Sequence, residues 1–389
     1  NIMKKSRKRF CYILIILLCI YSTIICWAEP FDIDAKAAIL IDASTGEILY
    51  EKNIHEELPP ASITKIMTML LTMEALDTNQ ISLDDEVIIS ERAASMGGTQ
   101  LYVEPGEVKT VEDLIKGITI RSANDASVAI AEHIAGTEEL FVEKMNTRAK
   151  ELGMNNTHFM NSNGLPAEGH LMSTYDIAIM SRELLKFPEI QKWLTTWIDI
   201  VEVGKNTKST QELVNTNKLV RSYEGITGIK TGSTSEAKYC LSASATRGNN
   251  SFIAVVMAAP TSTVRFSEAT KLLDYAFNNF DTIKVVEKGA NMGSILVEKG
   301  EKSKLNITID EDLNILVKKG EKSNVDKEIN IPSSVKAPIV KGEKIGEIII
   351  NLDGQQKKKV ELISAETIKK ASVVNILERM FKDMVGIEK

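Results

Sequence analysis

The sequence predicts an α+β protein in three parts. Residues 29–280 form one sheet, closed by both ends of the segment and covered by helices; 281–363 form a small all-β sandwich, and 364–389 an amphipathic helix. Three patterns carry this. Strand-like runs stand at both ends of the first part with helical periodicity between them. Short β-branched runs separated by Lys/Gly/Glu turns follow, and the final stretch gathers its apolar side chains on one side.

Ahead of these parts, Lys4, Lys5, Arg7, Lys8 and Arg9 precede an apolar run from Phe10 to Trp27, and Cys26-Trp27-Ala28 offers small residues where a signal peptidase reads. Residues 1–28 therefore read as an export signal. The competing reading is an uncleaved anchor, since the run is just long enough to cross a bilayer; either places the body outside the cytoplasm.

From Ala37, AAILIDASTGEILYEKN reads as two strands around Ser44-Thr45-Gly46. Pro59-Pro60 then precedes a helix whose Ile63, Ile66, Met67, Leu70 and Leu71 recur at the spacing of a core-facing stripe. Further helices are expected at 111–119, 124–135, 138–152, 174–186 and 265–278, and strands at 226–230, 238–246 and 251–259. In the third part Ile368, Val373, Val374, Leu377, Met380, Phe381, Met384 and Val385 oppose Lys369, Lys370, Glu378, Arg379, Lys382 and Asp383. That helix is read as lying in the membrane interface; packing on the β domain is the alternative.

Composition narrows the chemistry. The chain has 389 residues, 43% hydrophobic and 26% charged, with a net charge of −6. Removing the signal removes five basic groups and leaves an acidic body, a poor partner for nucleic acid. It also removes Cys11, Cys19 and Cys26; the body keeps Cys240 alone, which excludes an internal disulfide and a thiolate metal site. His55, His133, His158 and His170 show no metal-ligand spacing. Gly-x-Gly-x-x-Gly, Walker and Gly-x-Ser-x-Gly motifs are absent, so no cofactor or metal is expected.

What remains is Ser62-Ile-Thr-Lys65. Three residues apart on a helix, the two side chains share a face, and a neutral Lys65 can take the Ser62 proton. The same spacing at Ser235/Lys238 and Ser333/Lys336 is the number chance supplies; only the copy at 62 opens an apolar helix. Burial and a second ammonium would lower a lysine pKa, and Lys230-Thr231-Gly232, after a strand-like run, supplies one. Lys230 and Thr231 offer donors to a carboxylate, and Gly232 lets a substrate backbone approach the strand edge. Ser122-Ala-Asn124 offers a proton-relaying hydroxyl and an orienting amide. Singly, each has a plain structural reading: Ser62 and Ser122 as helix caps, Lys230 as a solvated strand end. Together S-x-x-K, S-x-N and K-T-G in this order are the set of penicillin-binding proteins and class A β-lactamases.

The chain resembles the low-molecular-mass penicillin-binding proteins, the serine-type D-alanyl-D-alanine carboxypeptidases, along nearly its whole length. Besides the three motifs, the resemblance rests on Leu152-Gly-Met154, Thr157-His158-Phe159-x-Asn161-x-x-Gly164-Leu165, Gly228-Ile-Lys-Thr-Gly-x-Thr234 and Ala337-Pro338-Ile-Val-Lys-Gly-Glu-Lys-Ile-Gly346. It implies a β-lactamase/transpeptidase-like catalytic domain with an antiparallel sheet, followed by the β domain and terminal helix. One departure is Ala237-Lys238-Tyr239, where the family usually has Ala-Gly before the aromatic; a long side chain there would narrow the groove beside K-T-G and bear on substrate preference.

The resemblance implies a mechanism. Lys65 deprotonates Ser62, which attacks the bond between two terminal D-alanines of a peptidoglycan stem peptide. Lys230 and Thr231 hold the terminal carboxylate, with Arg265 close to it. Backbone N–H groups of Ser62 and Ser233 form the oxyanion hole, Ser122 protonates the leaving D-alanine, and Asn124 orients Lys65 or the substrate. β-Lactams would act as covalent inhibitors, and the outer face of the cytoplasmic membrane is the expected attachment surface. The alternatives are a β-lactamase, for which Glu151-Leu-Gly-Met-Asn155 imitates a Glu-x-x-x-Asn motif, and a non-catalytic wall-binding protein of the same fold.

Overall fold

A computed structural model describes residues 31–321 and 323–372. The expected export signal at 1–28, and residues 373–389 of the expected terminal helix, lie outside the described residues.

In chain order the main elements are β1 (Ala37–Asp42), β2 (Ile48–Lys52), α1 (Lys65–Asp77), β3 (Glu86–Ile88), β4 (Val108–Thr110), α2 (Val111–Lys116), α3 (Asn124–Ala135), α4 (Glu138–Glu151) and α5 (Thr174–Leu184). There follow β5 (Ile198–Val203), β6 (Ser209–Val214), β7 (Ile226–Thr234), β8 (Lys238–Arg247), β9 (Asn250–Ala259) and α6 (Ser262–Asn279).

A five-stranded antiparallel sheet runs β2-β1-β9-β8-β7. N-terminal and C-terminal strands of the segment therefore meet at its centre, with Ala37 opposite Met257 and Asp42 opposite Phe252. β8 and β9 are buried over most of their length because helices cover both faces: α6 packs on β8 and β9, α5 on β1 and β9. The helical core includes Ile63, Ile66, Met67, Leu70, Phe141 and Phe159, all fully buried.

Two helices differ from expectation. The one expected over 111–119 is α-helical only to Lys116; Gly117–Arg121 widens into a π turn and delivers Ser122 in the left-handed region at φ +69°. Such π turns recur at functional sites because they re-aim one side chain without ending the helix. α6 starts three residues earlier than expected, where Thr261 accepts the Val264 N–H as its cap. The antiparallel pairs β3–β4 and β5–β6 are not among the expected strands. Their strands are short and leave Ile88, Ile198 and Ile200 exposed, so the alternation that marks a half-buried strand is weak.

After α6 the chain is all-β: β10 (Phe280–Val286), β11 (Asn291–Glu298), β12 (Lys304–Thr308), β13 (Leu313–Lys318), β14 (Val325–Asn330), β15 (Ser334–Lys336), β16 (Lys344–Leu352) and β17 (Gln355–Ser364). β10 pairs with β13, and the remaining strands form a six-stranded sheet in the order β14-β16-β17-β12-β11-β15. Thr282 at the start of this part donates to the buried Asp42 carboxylate of β1 at 3.0 Å.

The expected helix from Ser364 requires correction. Ser364 ends β17, Ile368 bridges Ile339 and is fully buried in the β core, and Lys370 bridges Gly300. The apolar Ile368 that suggested a helical stripe fills the sandwich instead, so the β fold runs on at least to Lys370.

Candidate active site

Pro60 leads into a single 3-10 turn, Ala61–Thr64, which places Ser62 one turn before Lys65, the first residue of α1. Neither Pro60 nor Thr64 caps with its side chain, so Ser62 is free of the capping role its position suggested. Ala61 sits at φ +48°, a left-handed conformation that a non-glycine residue holds only when its surroundings over-determine it. They do: Thr64 Oγ1 donates to Ala61 O at 2.8 Å, and His170 Nε2 donates to Thr64 Oγ1 at 2.8 Å. His170 Nδ1 accepts the Met160 N–H, which fixes the neutral tautomer, and burial pulls the ring pKa to about 4.

Gly164 seals the same turn from the other side. A Cβ there would lie 1.9 Å from Ala61 O, and its φ is +87°, so only glycine fits on both counts. Gly232 does the corresponding work on β7, where a Cβ would lie 2.9 Å from Pro60 O and 3.1 Å from Ser62 N. At this position the structure shows that a glycine admits the turn bearing Ser62.

Lys65 is fully buried yet has three partners: it donates to Asn124 Oδ1 at 2.6 Å, Asn163 O at 2.6 Å and Ser62 Oγ at 3.1 Å. Burial first, and the Lys230 ammonium second, hold its pKa well below the usual lysine range, with Asp125 opposing. Asp125 is itself held by the N–H groups of Leu101, Tyr102 and Ala126 at 2.8–2.9 Å, which ties the loop before β4 to the start of α3. Asn124 also donates to Gly97 O at 2.7 Å, so its amide orientation is fixed at both ends.

Lys230 lies on β7, 1% exposed, and donates to Thr231 O at 3.1 Å. Burial and the Arg265 guanidinium bring its pKa to about 7. Arg265, in the first turn of α6, is buried and donates to Gly232 O at 3.0 Å and Cys240 O at 3.3 Å. It is not a solvated helix start; its Nε is buried without a partner among the described residues. Ser233 is exposed at the far side of Gly232, and Thr231 Oγ1 donates to Thr216 Oγ1 at 2.7 Å.

The fold thus brings Ser62 and Asn124 each into contact with Lys65 and sets Gly232 of the K-T-G strand against the Ser62 turn. Ser122 is buried two residues before Asn124, and among the described residues no hydrogen bond joins its hydroxyl to the others. Sequence reasoning missed the Asn163 carbonyl, Asp125 and Thr216. A carbonyl acceptor leaves no residue-type signature, although Asn163 falls inside the Asn161–Leu165 stretch of the resemblance. The chance copies of S-x-x-K lie elsewhere: Ser235 and Lys238 are exposed at the β7–β8 turn, and Lys336 ends β15. Glu151, the β-lactamase-like candidate, is exposed at the end of α4 and pairs with Arg148 at 3.2 Å.

The sequence model described as D-alanyl-D-alanine carboxypeptidase matches residues 25–261, and that of the penicillin-binding protein 5 C-terminal domain matches 280–370. The chain belongs to the D-alanyl-D-alanine carboxypeptidase family. It is a serine hydrolase of the low-molecular-mass penicillin-binding class. This carboxypeptidase is 48% identical over 351 residues to D-alanyl-D-alanine carboxypeptidase DacF of Bacillus subtilis, covering 90% of each chain. It is 34% identical to DacC of Escherichia coli over 87% of this chain and 86% of the relative. Penicillin-binding protein 5 from Haemophilus influenzae superposes with a TM-score of 0.73 at 32% identity, covering 88% of this chain and all of that one. With that membership the carboxypeptidase removes the terminal D-alanine of peptidoglycan stem peptides and binds penicillin.

Proposed function

We propose that Ser62 is the nucleophile and Lys65 its base. The observation that carries this is a fully buried lysine amine 3.1 Å from the serine oxygen, its pKa lowered by burial and by a second buried lysine. Lys65 takes the hydroxyl proton as Ser62 Oγ attacks the carbonyl between the two D-alanines. The N–H groups of Ser62 and Ser233 stabilise the oxyanion, each such donor being worth about 3–4 kcal/mol where measured. In support, Ser62 N faces β7 at Gly232, the residue before Ser233.

The proton held by Lys65 passes by way of the Ser122 hydroxyl to the departing D-alanine nitrogen; water then adds its hydroxyl to the acyl carbon and returns a proton to Ser62 Oγ, releasing the shortened peptide. Asn124 keeps the Lys65 amine directed at Ser62. Lys230 and Thr231 hold the terminal carboxylate; Arg265, through the Gly232 carbonyl, sets the strand on which they stand and strengthens the positive field there.

The basic n-region and apolar run before residue 29 support an enzyme exported to face the cell wall, and the amphipathic pattern beyond residue 372 supports attachment to the outer face of the membrane. Among the described residues no helix is long and apolar enough to cross a bilayer.

Intact mass after benzylpenicillin treatment tests the site: one adduct on the wild type and none on Ser62→Ala is expected, and an adduct that survives Ser62→Ala overturns the assignment. Release of D-alanine from a defined pentapeptide tests the reaction. For attachment, deleting 373–389 is expected to move the protein from membranes to the soluble fraction, while continued sedimentation with membranes would count against it.

A further inference from the structure

The residue that holds the Thr231 hydroxyl has no role in the scheme above. Thr216 lies just beyond β6, outside the three motifs, yet it is bonded both to the stretch that leads into Ser122 and to the K-T-G strand. Its N–H donates to Ile120 O at 3.1 Å, in the π turn that presents Ser122, and its Oγ1 accepts from Thr231 Oγ1 at 2.7 Å.

Its two neighbours clamp it. Asn215 is buried and donates to Leu194 O at 3.1 Å and Thr196 O at 2.8 Å; Asn217 is buried and donates to Gly228 O at 3.2 Å on β7. Asn215 Oδ1 in turn accepts the Asn217 N–H at 2.9 Å, closing a turn around Thr216. A residue held this firmly by four backbone anchors, with its hydroxyl on Thr231, has one strong candidate use.

We propose that Thr216 is a positioning residue for the substrate carboxylate: it orients the Thr231 hydroxyl, and on binding it reverses the hydrogen bond so that Thr231 donates to the carboxylate. A hydroxyl has one proton and two acceptor sites, and the Thr231 proton is directed at Thr216 while the two are bonded as they stand. When a carboxylate arrives, that proton turns toward it, and the Thr216 hydroxyl becomes the donor to Thr231. The pair then forms a two-bond chain ending on a charged acceptor, an arrangement in which each bond strengthens the next. No covalent bond changes and no proton leaves its own oxygen. Valine at 216 keeps the shape but removes the donor, leaving Thr231 to bind the carboxylate with an unsupported hydroxyl.

This inference rests on the reading of Thr231 as a carboxylate donor, and the experiment separates the two. A stem-type peptide ending in free D-alanine and its C-terminal methyl ester are compared as substrates of the full chain. Thr216→Val is expected to raise KM for the acid about tenfold, kcat changing less, and to leave KM for the ester within about twofold. Thr216→Ser keeps the acid preference. Thr231→Val loses that preference, and the double variant loses no more than Thr231→Val does. If Thr231→Val leaves the acid preference intact, the carboxylate reading itself falls. If Thr231→Val lowers it but Thr216→Val does not, or if Thr216→Val weakens acid and ester alike, or if Thr216→Ser behaves as Thr216→Val, the positioning role is overturned. Should the valine variant not fold, Thr216→Ala gives the same two outcomes, with its thermal melt showing that it is folded.

Discussion

Asn124 Oδ1 lies 2.6 Å from Lys65 Nζ, and this buried contact joins the start of α3 to the start of α1. The acceptor is a neutral amide. It directs the amine without adding a charge that would favour its protonated form.

Replacing that amide by a carboxylate tests the distinction. Asn124→Asp puts a negative charge beside Lys65, raises its pKa and leaves less neutral amine near pH 7. Acylation by penicillin is expected to slow at least about tenfold at pH 7 and to recover as pH rises. An acylation profile with unchanged pH dependence would remove Lys65 from the role of base.

Lys230 makes stability depend on pH. Its folded pKa is about 7 against an ordinary value of 10.5, so between those limits the folded chain binds fewer protons than the unfolded one. Stability from this group therefore rises with pH from about 7 toward 10, and its full cost is felt below 7. Urea unfolding of the wild type is expected to show rising stability from pH 7 to 9. Lys230→Met flattens that slope and is more stable than the wild type at pH 6; an unaltered slope would refute the assignment.

Gly164→Ala places a Cβ on the Ala61 carbonyl. Backbone cannot yield as a flexible side-chain end does, and the left-handed φ adds strain, so a loss of at least about 2 kcal/mol is expected together with slower acylation. Denaturant unfolding and penicillin acylation measure the two effects, and a neutral variant would show that the Ser62 turn is less tightly held than described.

Lys238 occupies φ +56° at the exposed β7–β8 turn, a conformation that costs a side-chain-bearing residue about 1–2 kcal/mol and glycine nothing. Glycine also gives up more freedom on folding, about 0.4–1 kcal/mol. Lys238→Gly is expected to gain up to about 1 kcal/mol by thermal or chemical unfolding. A loss of stability would mean that the lysine side chain makes a contact outweighing its strain.

Much of the architecture was legible in the pattern of side chains. The hairpin of β1 and β2, α3, α4, α5 and the β7–β9 meander stand within a few residues of where period and turn chemistry put them, because each buries one continuous apolar face. β3 to β6 were not legible. They are short, partly exposed ribbons joined by a contact distant in the chain: Gly204 N–H donates to the buried Glu107 carboxylate at 2.9 Å, from 97 residues away. Ile368 misled for a related reason: a lone apolar residue near a strand end fits a helical stripe as well as a sheet core, and only the neighbouring Ile339 decides.

For the site, S-x-x-K spacing determined that Lys65 can reach Ser62, since three residues on a helical turn fix that distance locally. It did not determine that Lys65 would be buried beneath Asn124 and the Asn163 carbonyl, nor that Thr216 would take the Thr231 hydroxyl. Those partners come from 59, 98 and 15 residues away along the chain. Residue type and spacing state which groups a chain has to offer. The pKa of an amine and the direction of a hydroxyl depend on the dielectric and the acceptors around them, and these exist only once the helices and the sheet have closed on one another.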